Sequence, residues 1–185
     1  VQHRLYADVL INNAGVGFGG RFDILDEAQM YDLLDLNVVA LVALTRQFLL
    51  GMRERGTGGV LNVASLAGFM PGPWQALYFA AKAFVVSFSE AIAQECRGSG
   101  VHVMVAAPGP VETRIHGAMR TRWTWYRKLF PSYEPDDCAE LIWQGFLAGH
   151  RVFVPGLVNN FAALGSRVLP NVMLTPLGAW LVRPC

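Results

Sequence analysis

Three short apolar runs, each separated from the next by a long helical run, constrain this chain more than any other feature. They are Asp8–Asn13, Gly59–Ser65 and Val101–Ala107, with a shorter fourth at Val152–Val154. Helices are expected between them at Glu27–Arg55, in one piece or two, then Gln75–Gly98 and Pro135–Gly149. Gly56-Thr57-Gly58-Gly59 stops the first helix and Gly98-Ser99-Gly100 the second. Strands this apolar are covered on both faces, and long helical crossovers join parallel neighbours. The expectation is one α/β domain over residues 1–185, a doubly wound parallel sheet without linker or internal repeat. Ligands of such sheets gather outside the carboxyl ends of the strands, where Asn13, Ser65 and Pro108 stand.

Composition narrows the function. Hydrophobic residues make up 53% and charged residues 16%, which fits strands buried on both faces. A net charge of +1 makes no whole-chain case for nucleic acid. No apolar run approaches the ~18 residues of a membrane span. Arg46 and Gln47 break Val38–Met52; Pro170, Asn171 and Pro176 break the tail. Cys96, Cys138 and Cys185 are isolated and the four histidines have no partner spacing, so neither a metal site nor a disulfide framework is expected. A reducing, cytoplasmic setting is the corresponding expectation.

Ser65, Tyr78 and Lys82 carry the chemistry. They stand as Ser-x12-Tyr-x3-Lys, with the serine at the end of the second apolar run. Tyr78 and Lys82 are four residues apart in a helical stretch and so share one face. A phenol titrates near pH ~10, and a cation one turn away favours its phenolate. That makes an acid/base fit to move a proton to or from an alcohol or ketone oxygen, while a neighbouring hydroxyl holds that oxygen. Taken alone, Tyr-x3-Lys describes many solvent-facing helices.

The surrounding motifs carry more weight. Asp8-Val-Leu-Ile-Asn-Asn-Ala-Gly15, Leu36-Asn37-Val38, the Ser65/Tyr78/Lys82 set and Pro108-Gly-Pro-Val-Glu-Thr113 follow in this order. Together they resemble the short-chain dehydrogenase/reductase superfamily, over Asp8 to about Gly156. Tyr78 to Glu90, Val154-Pro155-Gly156 and Leu169-Pro170 are similar to a bacterial branch of hydroxysteroid dehydrogenases and long-chain 3-oxoacyl reductases. The resemblance implies a Rossmann-like fold and an NAD(P)-dependent oxidoreductase, NADP favoured over NAD. It implies Tyr78 as acid/base, Lys82 as its activator and a ribose contact, Ser65 on the substrate oxygen, and Asn37 holding a water in a proton relay. It further implies cofactor contacts from Asn12, Asn13, Ala14, Gly15, Pro108, Gly109, Val111 and Thr113, besides Tyr78 and Lys82.

Superfamily members open with a glycine-rich strand-turn-helix, and the expectation is a chain truncated at its N-terminus, lacking that first βαβ unit. Gly15, Gly17 and Gly20 satisfy G-x-G-x-x-G as letters. They open a loop rather than a helix, and no βαβ unit with a later ribose-binding acid follows. The alternative is a non-catalytic fragment or scaffold that keeps the site without holding cofactor. Residues 114–130 carry Arg114, Arg120, Arg122, Arg127 and Lys128 among Trp123, Trp125, Tyr126 and Phe130, without an acid. Similar enzymes place their substrate lid here, and such a lid could meet an anionic head group or lipid surface. The apolar tail, 157–185, is expected to pack on the substrate pocket or a second subunit. Partners are an apolar carbonyl or alcohol and, in the full-length protein, a second copy of the chain. Peripheral membrane contact is allowed; a span and nucleic acid are not.

Overall fold

The computed structural model describes residues 6–113 and 130–182. Of the expected lid only Phe130 lies within them; 114–129 fall outside. Strands β1 (Val9–Asn12), β2 (Gly58–Val63), β3 (Val101–Ala106) and β4 (Val152–Phe153) form one parallel sheet in the order β1-β2-β3-β4. Val9 lies beside Gly59, Asn12 beside Asn62, and Val63 beside Ala106. The runs in β2 and β3 became strands because their neighbours satisfy their amides while helices cover their side chains; β1, at the sheet edge, leaves Ile11 52% exposed.

Alternate strand residues feed two separate cores. Val60, Val101 and Val103 meet Met52 of α2 (Ala40–Arg55), and Val105 meets Leu41 of α2 with Val85 and Val86 of α3 (Ala76–Glu95). Leu61, Met104 and Ala106 turn the other way, onto Cys138, Ile142 and Phe146 of α4 (Pro135–Leu147). Helices thus cover both faces, as a doubly wound sheet requires. The chain ends in two short helices, α5 (Leu157–Val168) and α6 (Asn171–Val182).

α1 (Glu27–Leu34) starts on Asp26, whose carboxylate accepts the Gln29 amide at 3.0 Å. α1 then runs into α2 through one π-helical segment, Asp35–Val39, and α2 stops at Gly56 in the left-handed region. The join bears on the sequence expectation about membrane spans, by length and composition only. It makes Glu27–Arg55 one continuous helix of 29 residues, which with Ala76–Glu95 is long and apolar enough to cross a bilayer. In this fold α2 and α3 lie against the sheet.

Candidate active site

The carboxyl ends of β1, β2 and β3 converge on the amino-terminal half of α3. Leu66 donates its amide to the Pro108 carbonyl at 2.9 Å, and Ala64 donates to Ala106 at 2.7 Å, locking the β2 and β3 exits side by side. Ser65 lies between those two bonds. Its extended backbone caps the turn Leu66–Phe69, and its hydroxyl accepts the Ala67 amide at 3.2 Å. The same side chain lies beside Tyr78, close enough to lower its pKa. Two hydroxyls 13 positions apart in sequence therefore meet at one point beyond β2.

Lys82 lies one helical turn from Tyr78, as the spacing requires, and is buried. Its ammonium donates to the Val63 carbonyl at 3.0 Å and sits 5.9 Å from the centre of the Tyr78 ring. Burial lowers the Lys82 pKa to about 8. For Tyr78 burial raises the pKa and the neighbouring Ser65 side chain only partly opposes it. This corrects the expectation of a phenol pulled down by its lysine neighbour: desolvation prevails, and the ammonium is spent on a backbone carbonyl. In this arrangement Tyr78 keeps its proton at neutral pH.

The depressed lysine has a measurable consequence. Its folded pKa is below its unfolded value of 10.5, so between about pH 8 and 10.5 the unfolded chain binds the extra proton. Stability contributed by this residue therefore rises with pH across that window, by at most about 1.4 kcal/mol per pH unit. Denaturant titrations of wild type and Lys82→Met should diverge there, wild type gaining. Parallel pH profiles would show that Lys82 is not buried as described.

Asn37 lies fully buried in the π-helical segment. Its Oδ1 accepts the Val16 amide at 2.9 Å and its Nδ2 donates to the Val16 carbonyl at 2.8 Å. Each polar end of the side chain grips the loop after β1. Gly15 passes close by: a methyl group there would stand 3.0 Å from Asn37 Oδ1 and 3.4 Å from Lys82 Nζ. Asn13 and Ala14 are exposed at the β1 exit. Asn12 is turned away from that exit. Its amide donates to Thr45 Oγ1 at 3.1 Å and to Asn62 Oδ1 at 2.8 Å, a buried role rather than a cofactor contact for this side chain.

The Pro108-Gly109 turn rests on a residue that sequence reasoning missed. Asn159 of α5 is fully buried, with Nδ2 donating to the Pro155 carbonyl at 2.8 Å and Oδ1 without a partner among the described residues. A methyl group at Gly109 would lie 2.6 Å from that Nδ2, so only glycine lets the turn approach. The turn is held further by Tyr133, which pairs with Val111, accepts the Glu112 amide and donates to the Pro110 carbonyl. Thr113 is exposed at its end. The polar pair Asn159-Asn160 near the start of a largely apolar tail was the signal for Asn159. Trp74, just before α3, adopts φ 68° and buries an indole N–H without a partner among the described residues, while its carbonyl accepts the Gly20 amide at 2.7 Å. No group of three or more His, Cys, Asp or Glu side chains that could hold a metal occurs among the described residues.

Comparison with known proteins puts this arrangement in context. The family model described as short chain dehydrogenase matches residues 1–123. The ketoacyl reductase HetN of Nostoc sp. is 40% identical over 104 residues, 56% of this chain and 36% of that protein. The 3-oxoacyl-[acyl-carrier-protein] reductase FabG of Vibrio cholerae is 35% identical over 112 residues, 60% of this chain and 46% of that protein. The matched region is thus less than half the length of either relative. A short-chain dehydrogenase from Sphingobium yanoikuyae, solved in complex with NADPH, superposes with a TM-score of 0.72 at 29% identity. That match covers 85% of this chain and 61% of the other. A 7beta-hydroxysteroid dehydrogenase shares the fold with a TM-score of 0.79 at 20% identity, over 92% of this chain and 66% of its own. With its parallel sheet and its ordered motifs, this chain belongs to the short chain dehydrogenase family.

Proposed function

We propose that this chain carries the proton-transfer half of an NAD(P)-dependent oxidoreductase that interconverts a secondary alcohol and a ketone. One observation carries the reading: the Ser65 and Tyr78 side chains stand close together beyond β2, with the buried Lys82 ammonium one turn behind. In the reducing direction the Tyr78 hydroxyl gives its proton to the carbonyl oxygen as that oxygen gains charge, while Ser65 holds the same oxygen in place. Oxidation returns the proton to Tyr78. The raised pKa suits the first direction, because the donor is neutral and loaded at pH 7.

A nicotinamide cofactor supplies or accepts the hydride in such a reaction. The residues fit it: bare, exposed backbone at Asn13 and Ala14 leads to Gly15, whose missing side chain leaves room beside Lys82. Lys82, Tyr78, the Asn12–Gly15 backbone, and Pro108, Gly109, Val111 and Thr113 across the cleft would hold it. NADP(H) is favoured by the branch resemblance; a relative solved with NADPH and another, from Brucella melitensis, solved with NADH show both forms among similar folds. We assign the complete protein to the cytoplasm, acting as an oligomer of identical chains.

The substrate we infer is an extended or polycyclic apolar ketone. Leu66, Met70 and Phe79, next to the hydroxyl pair, line a narrow apolar cavity with Phe130 and with Leu181 of α6. Burying apolar surface there is worth about 25 cal/mol per Å2, and the lining offers no set of polar groups to recognise several hydroxyls. NADPH oxidation by the complete gene product tests this. The value of kcat/KM should rise along a series of 3-oxoacyl thioesters of increasing chain length. A flat profile, or a preference for short polyols, would exclude this substrate class.

A further inference from the structure

The last two helices each expose an apolar stripe. On α5 the side chains of Leu157, Phe161, Leu164 and Val168 are between 59% and 80% exposed. Their spacing of four, three and four residues places them in one stripe along the helix. The opposite side of α5 is buried through Asn159, Ala163 and Ser166, so the orientation of the stripe is set by packing. On α6 a second stripe, Met173, Leu177 and Trp180, is between 46% and 60% exposed, while Leu174, Gly178 and Leu181 are buried. Leu169 and Pro170 join the helices and are exposed too. Exposed apolar residues aligned over two consecutive helices mark an interaction surface rather than scattered surface residues.

Charge and length identify the partner. Residues 141–185 contain Arg151, Arg167 and Arg183 and not one Asp or Glu. Arg167 pairs with the Glu90 carboxylate, and Arg151 donates to the Glu90 carbonyl at 3.3 Å. Arg167 thus takes the Glu90 carboxylate while Arg151 has only a backbone carbonyl, so two guanidinium groups stand at the flank of α5 against one carboxylate. A second copy would bring the same sign of charge to this face; an anionic lipid surface brings the opposite. Each helix has 12 residues, about 18 Å, too short for a hydrocarbon core of about 30 Å, and Pro170 separates them. Short helices with apolar stripes, basic flanks and an exposed tryptophan lie in the plane of a membrane interface.

We propose that the α5–α6 face seats the protein on an anionic lipid surface. The buried side of α6 is also a wall of the apolar cavity, through Gly178, Leu181 and Val182. Seating there brings the cavity within reach of a carbonyl compound dissolved in the lipid, a consequence that rests on the function proposed above.

Vesicle flotation of the complete gene product tests the binding itself, without any assay of turnover. Vesicles of phosphatidylcholine mixed with phosphatidylglycerol should carry the protein, and phosphatidylcholine alone should carry much less. Phe161→Glu combined with Leu164→Glu should weaken partitioning by at least about ten-fold. Both positions are exposed, so helicity and the rate with a water-soluble ketone should not change. Absence of flotation, equal flotation on both vesicles, or an insensitive double variant would overturn the proposal. So would a double variant whose main effect, by light scattering, is to dissociate a dimer. Loss of all ketone reduction with flotation intact would instead count against the proposed function alone.

Discussion

Replacing Tyr78 with phenylalanine should lower kcat of the complete gene product by about a hundred- to ten-thousand-fold, the range for removing a general acid. Cofactor affinity should stay near wild type. The substitution deletes only the hydroxyl that meets Ser65 and leaves the ring packed edge-on against Phe79, at 6.2 Å between centroids. Stability should hold or rise slightly, since a buried hydroxyl leaves with its desolvation cost. Lys82→Ala should differ in kind, weakening cofactor binding as well as turnover, because the proposed function gives one ammonium both roles. Steady-state NADPH oxidation, together with fluorescence titration of bound NADPH, separates the two variants. Comparable rates for Tyr78→Phe and wild type on any accepted ketone would end the assignment of Tyr78 as the acid.

Asn62→Ala should lower the free energy of unfolding by about 2–5 kcal/mol, a large loss for a residue far from the chemistry. Asn62 is fully buried in β2 and links three elements. Its Oδ1 accepts from Asn12 of β1 at 2.8 Å, and its Nδ2 donates to Ser89 Oγ of α3 at 2.9 Å. Ser89 in turn donates to the Val85 carbonyl at 2.7 Å. Truncation strips partners from two buried polar groups, each costing about 1–3 kcal/mol, and leaves a cavity between sheet and helix. Asn160→Ala, on the exposed side of α5, is the matched control and should change stability by less than about 0.5 kcal/mol. Urea denaturation with unchanged m-values measures both. A loss for Asn62→Ala no greater than that of the control would show that the chain of hydrogen bonds contributes nothing.

These two residues divide what was legible in the sequence from what was not. Strands, helices and their parallel arrangement follow from periodicity and glycine stops, and the observed boundaries differ from the expected ones by a few residues at helix and strand ends. The meeting of Tyr78 and Lys82 on one helical face is also local, because four residues make about one turn whatever surrounds them. The face each strand residue serves was already ambiguous. Val103 and Met104 are equally apolar, yet one meets α2 and the other α4. The short fourth strand, Val152–Phe153, shows the limit of the same signal, since two residues suffice once β3 supplies the register.

The order of the motifs determined family membership without any coordinates, because each sits at the carboxyl end of a strand or on the helix that follows. Polar side chains were different. Asn12 and Asn37 were both singled out by the motifs that contain them, but their partners lie 33 and 50 residues away for Asn12 and 21 for Asn37. No spacing rule reaches that far. The direction of the Tyr78 pKa was likewise outside what the letters contain. A nearby lysine in sequence argued for a lowered value, whereas the folded chain spends that ammonium on the Val63 carbonyl and buries the phenol. By itself, then, the sequence determined the elements, their parallel order and which residues could do chemistry. Only the tertiary structure decided which polar groups meet and how far water is excluded from them, because desolvation and long-range hydrogen bonds depend on three-dimensional packing and not on neighbours along the chain.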